Sequence, residues 1–121
     1  MSREAWGDEE PGYGAFDAAI EAGWLDPVDQ TRALIDVMNE RDRQWNEEGW
    51  TPEHDDQHSG GELAIAGACY ALAASGAEAA GLDWWPWSFK WWKPGDRRRD
   101  LVKAAALLLA EIERLDRAAD V

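Results

Sequence analysis

The chain has a single cysteine, Cys69, in 121 residues. No intrachain disulfide can form, which excludes a disulfide-stapled scaffold and agrees with a reducing cytosol. Long hydrophobic runs are missing as well. Nowhere do eighteen apolar residues follow one another, so no membrane-spanning helix is expected. Met1 to Glu10 is acidic and has no apolar stretch, so no signal peptide is expected either. No segment alternates apolar and polar residues at period two, and no Asn-Gly or Asp-Gly pair marks a hairpin, which argues against a sheet. Glycine-rich phosphate loops, a G-x-S-x-G elbow and internal repeats are all absent, which removes two common catalytic frameworks and the repeat architectures. Positive charge is scarce: 12 Lys and Arg stand against 25 Asp and Glu, for a net charge of −13. A field of that sign repels nucleic acid and anionic membranes, so neither is an expected partner. An anion would need a local basic patch, or the partner must itself be basic.

What is present is hydrophobic enough to fold. The apolar fraction is 45% and the length suits one domain. Residues 1–26 read as an acidic arm, with Phe16 and Ile20 at i, i+4 and Gly23 as a stop predicting a short helix within it. Residues 27–121 read as a single all-α domain of three main helices. The first is predicted over about 27–47, opened by Asp26-Pro27, with Leu34, Ile35, Met38 and Trp45 as its apolar stripe and Asn39 to Arg43 as its charged outer face. The second is predicted over about 61–74. Ser59-Gly60-Gly61-Glu62 has the capping-box form S-x-x-E, Leu63, Ala66, Gly67 and Tyr70 share a face, and the alanines with Gly67 permit close helix approach. The third, over about 97–119, is capped by Asp96 and carries Leu101, Val102, Ala105, Leu108, Leu109, Ile112 and Leu115 as a broad stripe.

Two segments carry unusual chemistry. Between the first two helices, Trp50 to His58 contains both histidines of the chain, four residues apart, with Glu53, Asp55, Asp56 and Glu62 nearby. Imidazole and carboxylate are ligands for divalent metals, so His54, His58 and Asp55 are the candidate metal residues; His54, His58 and Glu62 would share one face of a helix that began early, although a capping box at Ser59 would start it too late. Hydrogen bonding to backbone or ligand is the alternative, as is a solvated loop. The second segment, Trp84 to Lys93, reads WWPWSFKWWK, with five tryptophans in ten positions. Pro86 and Pro94 forbid a continuous helix, so an ordered loop or a pair of turns is expected. From Lys90 to Lys103 there are six cations and two acids. Indole faces beside cations suit a flat anionic ligand. A rigid aromatic mini-core and a dimer interface are the alternatives. Cys69, inside an apolar helix, reads as a buried inert thiol.

The strings Glu40-Arg41-Asp42-Arg43-Gln44, Glu48-Gly49-Trp50-Thr51-Pro52-Glu53-His54-Asp55-Asp56-Gln57-His58, Gly61-Glu62-Leu63-Ala64, Cys69-Tyr70-Ala71, Trp85-Pro86-Trp87, Trp92-Lys93-Pro94 and Leu101-Val102-Lys103-Ala104 to Arg114-Leu115 resemble an uncharacterised family of small phage and prophage proteins, over roughly residues 38–118. The resemblance implies an accessory protein in the cytoplasm of a bacterial host. Trp45, Gly49-Trp50-Thr51 and Asp55-Asp56 also resemble ryanodine-receptor-type repeat domains, whose His-Pro motif is missing here. Glu113-x-x-Asp116 resembles half of the acidic motif of MazG-type pyrophosphohydrolases, but no E-x-x-E precedes it.

Three functions fit this reading. The first is a binder, expected to be a homo-oligomer, that sequesters a nucleotide or nucleotide-derived signal of host defence. Trp87 or Trp91 would stack on a base, Lys93, Arg97 and Arg98 would hold phosphate, and His54, Asp55 and Asp56 would read ribose or base edges, with Trp50, Glu53, His58, Glu62, Trp92 and Lys103 as further ligand-binding residues. The second is a metal-dependent nucleotide hydrolase, with a divalent metal as its cofactor. The third is an acidic decoy for a basic host defence protein. The binder carries no catalytic residue and no cofactor, and its pocket is expected at the interface of a homo-oligomer.

Overall fold

The computed structural model describes residue 18, residues 21–23 and residues 31–120. The chain divides into two compact units, Met1–Arg32 and Ala33–Val121. In the first, the Ala22 N–H donates to the Ala18 carbonyl at 2.9 Å and Gly23 takes φ +78°, which is the helix stop expected there. The remainder of the arm and the Asp26-Pro27 start lie outside the described residues.

Among the described residues five α-helices follow, α1 (Arg32–Asn46), α2 (Pro52–Asp56), α3 (Glu62–Ala74), α4 (Glu78–Trp84) and α5 (Arg97–Ala119), with a 3₁₀ turn at Phe89–Trp91. The protein is all-α, and no strand occurs among the described residues. None of these helices is long and apolar enough to cross a membrane. Thr31 is not helical, so α1 starts at Arg32 rather than near Pro27. Two short helices replace expected loops. In α2 the Thr51 hydroxyl accepts the His54 N–H at 3.3 Å and Pro52 opens the first turn, where its missing donor costs nothing. In the connector after α3, Gly76 turns the chain at φ +97° and α4 then lies against α3. At the start of α3, Gly61 (φ +90°) takes the cap position that the sequence assigned to Ser59, without a side-chain bond. At α5 the expected cap is present: Asp96 Oδ1 accepts the Arg99 N–H at 3.0 Å.

The core is a close packing of α3 on α5 and α4. Leu63, Ala66, Cys69 and Tyr70 of α3 meet Ala104, Leu107 and Ala110 of α5 and the Trp85 indole. The whole expected inner face of α3 is buried. Small residues make the approach possible, because a Cβ on Gly67 would sit 3.2 Å from the Ala104 carbonyl oxygen and 3.1 Å from Leu108 Cγ. At Gly81 the fit is tighter still. A Cβ there would be 2.6 Å from the Cys69 carbonyl oxygen.

Two helix faces overturn the sequence expectation. On α1 the residues inside are Glu40, Arg41 and Gln44, while Leu34, Ile35, Met38 and Trp45 are exposed. Within the segment Asn39 to Arg43, Glu40 and Arg41 turn inside, while Asn39 and Asp42 stay exposed. The reason is electrostatic: α1 is held by ion pairs rather than by its apolar stripe. Asp36 pairs with Arg98 at 2.8 Å, Glu40 pairs with Arg43 at 2.9 Å and with Arg99, and Arg41 reaches Asp55 at 3.0 Å and Glu113 at 3.1 Å. On α5 the period is as expected but the buried side differs. Val102, Ala104, Ala106, Leu107 and Ala110 go inside, whereas Leu101, Leu108, Ile112 and Leu115 remain half exposed. A seam as tight as the one at Gly67 favours alanines over leucines.

Candidate functional site

The tryptophan segment divides into three roles. Trp85 and Trp92 join Tyr70 in an aromatic cluster with ring centroids 4.9–5.5 Å apart, and this part is a mini-core. Trp84 and Phe89 point to solvent. Trp87 and Trp91 line a pocket. The segment is anchored by short polar bonds: Trp85 Nε1–H donates to the Ser88 carbonyl at 3.1 Å, the Lys93 N–H donates to the Tyr70 hydroxyl at 3.2 Å, and the Lys103 ammonium donates to the Lys93 carbonyl at 2.6 Å.

The pocket encloses about 340 Å³ between Glu48, Trp50, His54, His58, Trp87, Ser88 and Trp91. Its wall is a chain of rings. Trp50 stacks on His54 with planes 6° apart and centroids at 6.1 Å, His54 meets His58 edge-on at 4.8 Å, and His58 leans on Trp87 at 5.2 Å. Trp87 returns to Trp50 at 5.8 Å. The Trp87 Nε1–H is buried and finds no acceptor among the described residues. A buried donor left in that state costs free energy.

Helix α2 sets the histidines, because His54 and His58 project from its last turn and its exit. Each is braced through Nδ1, His54 by Asp55 Oδ1 at 3.2 Å and His58 by Glu62 Oε2 at 3.4 Å. Asp55 is itself fully buried and takes the Arg41 guanidinium, so its work is positional. The Glu62 carboxylate lies beside its own N–H and that of Gly60, which hold its pKa below the ordinary carboxylate range despite some burial. Glu48, which the sequence did not single out, faces the pocket and pairs with Arg43 at 2.9 Å. Ser88 is the other lining residue without a sequence signal.

Of the residues marked in the sequence, Trp50, His54, His58, Trp87 and Trp91 come together. Glu53 is exposed on α2, Asp56 pairs with Arg117 at 2.8 Å, and Glu62 stands behind His58. Trp92 belongs to the mini-core. The basic residues disperse. Arg97 is exposed at the start of α5, and Arg98 pairs with Asp36 in a separate cleft of about 410 Å³ that also contains Glu40, Arg43 and Arg99. Lys103 lies over the Tyr70 ring at 5.2 Å, and burial lowers its pKa. The cations nearest the pocket rings are Lys90 and Lys93, at 5.4 and 5.7 Å from the centroid of Trp91. Among the described residues no three His, Cys, Asp or Glu side chains are grouped to hold a metal ion, and the trio His54, His58 and Asp55 forms no such cage. Cys69 is buried, and burial pushes its thiol pKa up, away from nucleophilic chemistry.

Comparison of the chain with known protein families, with curated proteins and with solved structures finds no match.

Proposed function

We propose that the protein binds a nucleotide or nucleotide-derived molecule by its base, in the pocket between α2 and the tryptophan segment, and holds it without turning it over. The observation that carries this reading is the convergence of Trp50, His54 and His58 with Trp87 and Trp91 around one cavity. A base stacking on an indole gains about 1–3 kcal/mol. Glu48 in the wall suits a heterocycle's edge, since its carboxylate accepts ring N–H and amino donors. Lys90 and Lys93, beside Trp91, serve the phosphate in place of the arginines of α5. In the phage setting that the sequence resemblance implies, such a pocket would withdraw a host nucleotide signal.

Isothermal titration with nucleosides and the matching 5′-monophosphates tests the reading. A stoichiometric heat is expected from at least one base, with the monophosphate binding more tightly than its nucleoside and losing that advantage in Lys90→Ala/Lys93→Ala. If none of the four common bases gives heat in either form, the reading fails.

A further inference from the structure

Among the described residues Glu48 is the one carboxylate that lines the pocket. Its side chain is held in place by Arg43. That guanidinium donates through Nε and Nη2 to the two oxygens of the buried Glu40, each at 2.9 Å, and through Nη1 to Glu48 Oε1 at 2.9 Å. A guanidinium is planar and its donors are fixed relative to one another. With its fork closed on Glu40, the remaining donor points one way, and Glu48 is tied through it to the buried side of α1. Oε1 keeps a second lone pair after that bond, and Oε2 has no hydrogen-bond partner among the described residues. The wall therefore offers a ligand two adjacent acceptors that carry negative charge and are set before the ligand arrives.

A planar base satisfies such a pair only with two donors side by side on one edge. Of the common bases guanine alone has them, in N1–H and the 2-amino group of its Watson–Crick edge. Adenine and cytosine set a ring-nitrogen acceptor beside the amino group, and the N3–H of uracil or thymine lies between two carbonyls. Each of these would press a lone pair against the carboxylate. The indoles do not compete with this choice, because every base has a face that stacks and the edge is left to discriminate. We infer, resting on the base-binding reading of the pocket, that it selects guanine. Glu48 sets the preference, and Arg43 is the positioning residue behind it. A site built to bond two N–H groups rejects a base that lacks them, since its acceptors are then left unpaired.

Isothermal titration of the full chain with the 5′-monophosphates of guanosine, inosine, adenosine, cytidine and uridine tests the choice. Guanosine monophosphate should bind at least about tenfold more tightly than the adenosine, cytidine and uridine forms. Inosine monophosphate keeps N1–H but lacks the 2-amino group, and losing one charge-assisted bond should weaken it about tenfold. Glu48→Gln replaces the pair of acceptors by one acceptor and one donor, the complement of the adenine edge. That variant should bind adenosine monophosphate more tightly than guanosine monophosphate, a reversal that loss of fold cannot produce. Equal affinity of the wild type for guanosine and inosine monophosphates overturns the inference with no variant needed, as does a Glu48→Gln chain that still prefers guanine. If another base binds best, the guanine preference fails and the base-binding reading stands; if none binds, both fail.

Discussion

Removing the Asp55 carboxylate should unlatch α1 and α2 from α5, and the structure sets the size of the effect. Asp55 is fully buried and takes the Arg41 guanidinium at 3.0 Å, while Arg41 is itself almost wholly covered. Breaking a buried pair from one side costs about 3–5 kcal/mol, because the remaining charge has lost its water and its partner. Here Arg41 keeps Glu113 at 3.1 Å and, more weakly, the Trp50 carbonyl at 3.4 Å. Glu113 is nearly half exposed, so it compensates only in part and the lower end applies: about 3 kcal/mol for Asp55→Ala. At roughly 4 °C per kcal/mol for a chain of this size, Tm should fall by about 12 °C. Urea unfolding followed by far-ultraviolet circular dichroism measures the loss. The double variant Arg41→Met/Asp55→Leu removes both charges and should cost at least about 1 kcal/mol less than the sum of its single changes. A loss below about 1 kcal/mol for Asp55→Ala, or strict additivity in the double variant, would refute the latch.

Three further outcomes follow from the packing and the charges. Gly81→Ala would place a methyl 2.6 Å from the Cys69 carbonyl oxygen, and forcing α4 off α3 should cost about 1–3 kcal/mol in the same urea experiment. Trp92→Ala, in the mini-core, should cost about 3–5 kcal/mol, whereas Trp84→Ala, on the surface, should stay within about 0.5 kcal/mol. Glu40 is opposed by burial, but the bonds from Arg43 and Arg99 outweigh it and hold the carboxyl below its ordinary value of 4.5. The folded state then binds fewer protons than the unfolded one, so this contribution is fully present above pH 4.5 and is lost as pH falls through the lowered folded value. Urea midpoints measured against pH should therefore fall less steeply below pH 4.5 in Glu40→Gln than in the wild type.

The sequence was most legible where local chemistry decides the structure. Asp96 announces α5, and Leu63, Ala66, Gly67 and Tyr70 mark the inner face of α3, because a cap and a dense run of small and apolar residues each act within a turn or two. Thr51-Pro52 was an equally good start signal for α2, but the polar residues after it read as loop. The faces of α1 and α5 were not legible. Periodicity reports that an apolar stripe exists, not what covers it, and on α1 the buried Glu40, Arg41 and Gln44 depend on partners as distant as Arg99 and Glu113. The site was half legible. The histidine loop and the tryptophan segment were joined through the family resemblance that carries both strings, and Trp50, His54, His58, Trp87 and Trp91 line one pocket. The basic residues do not gather at the pocket, since Arg98 and Lys103 are engaged by Asp36 and by the Lys93 carbonyl, neighbours that chain order does not reveal.

The most direct test of the binding pocket is a tryptophan-fluorescence and thermal-shift screen of the full chain against mono-, di- and cyclic nucleotides. At least one nucleotide should quench the indole emission with saturation and raise Tm, and both responses should drop at least tenfold in apparent affinity in Trp87→Ala while Trp84→Ala retains them. Nucleotides that leave emission and Tm unchanged, or that act equally on the wild type and Trp87→Ala, would contradict the account.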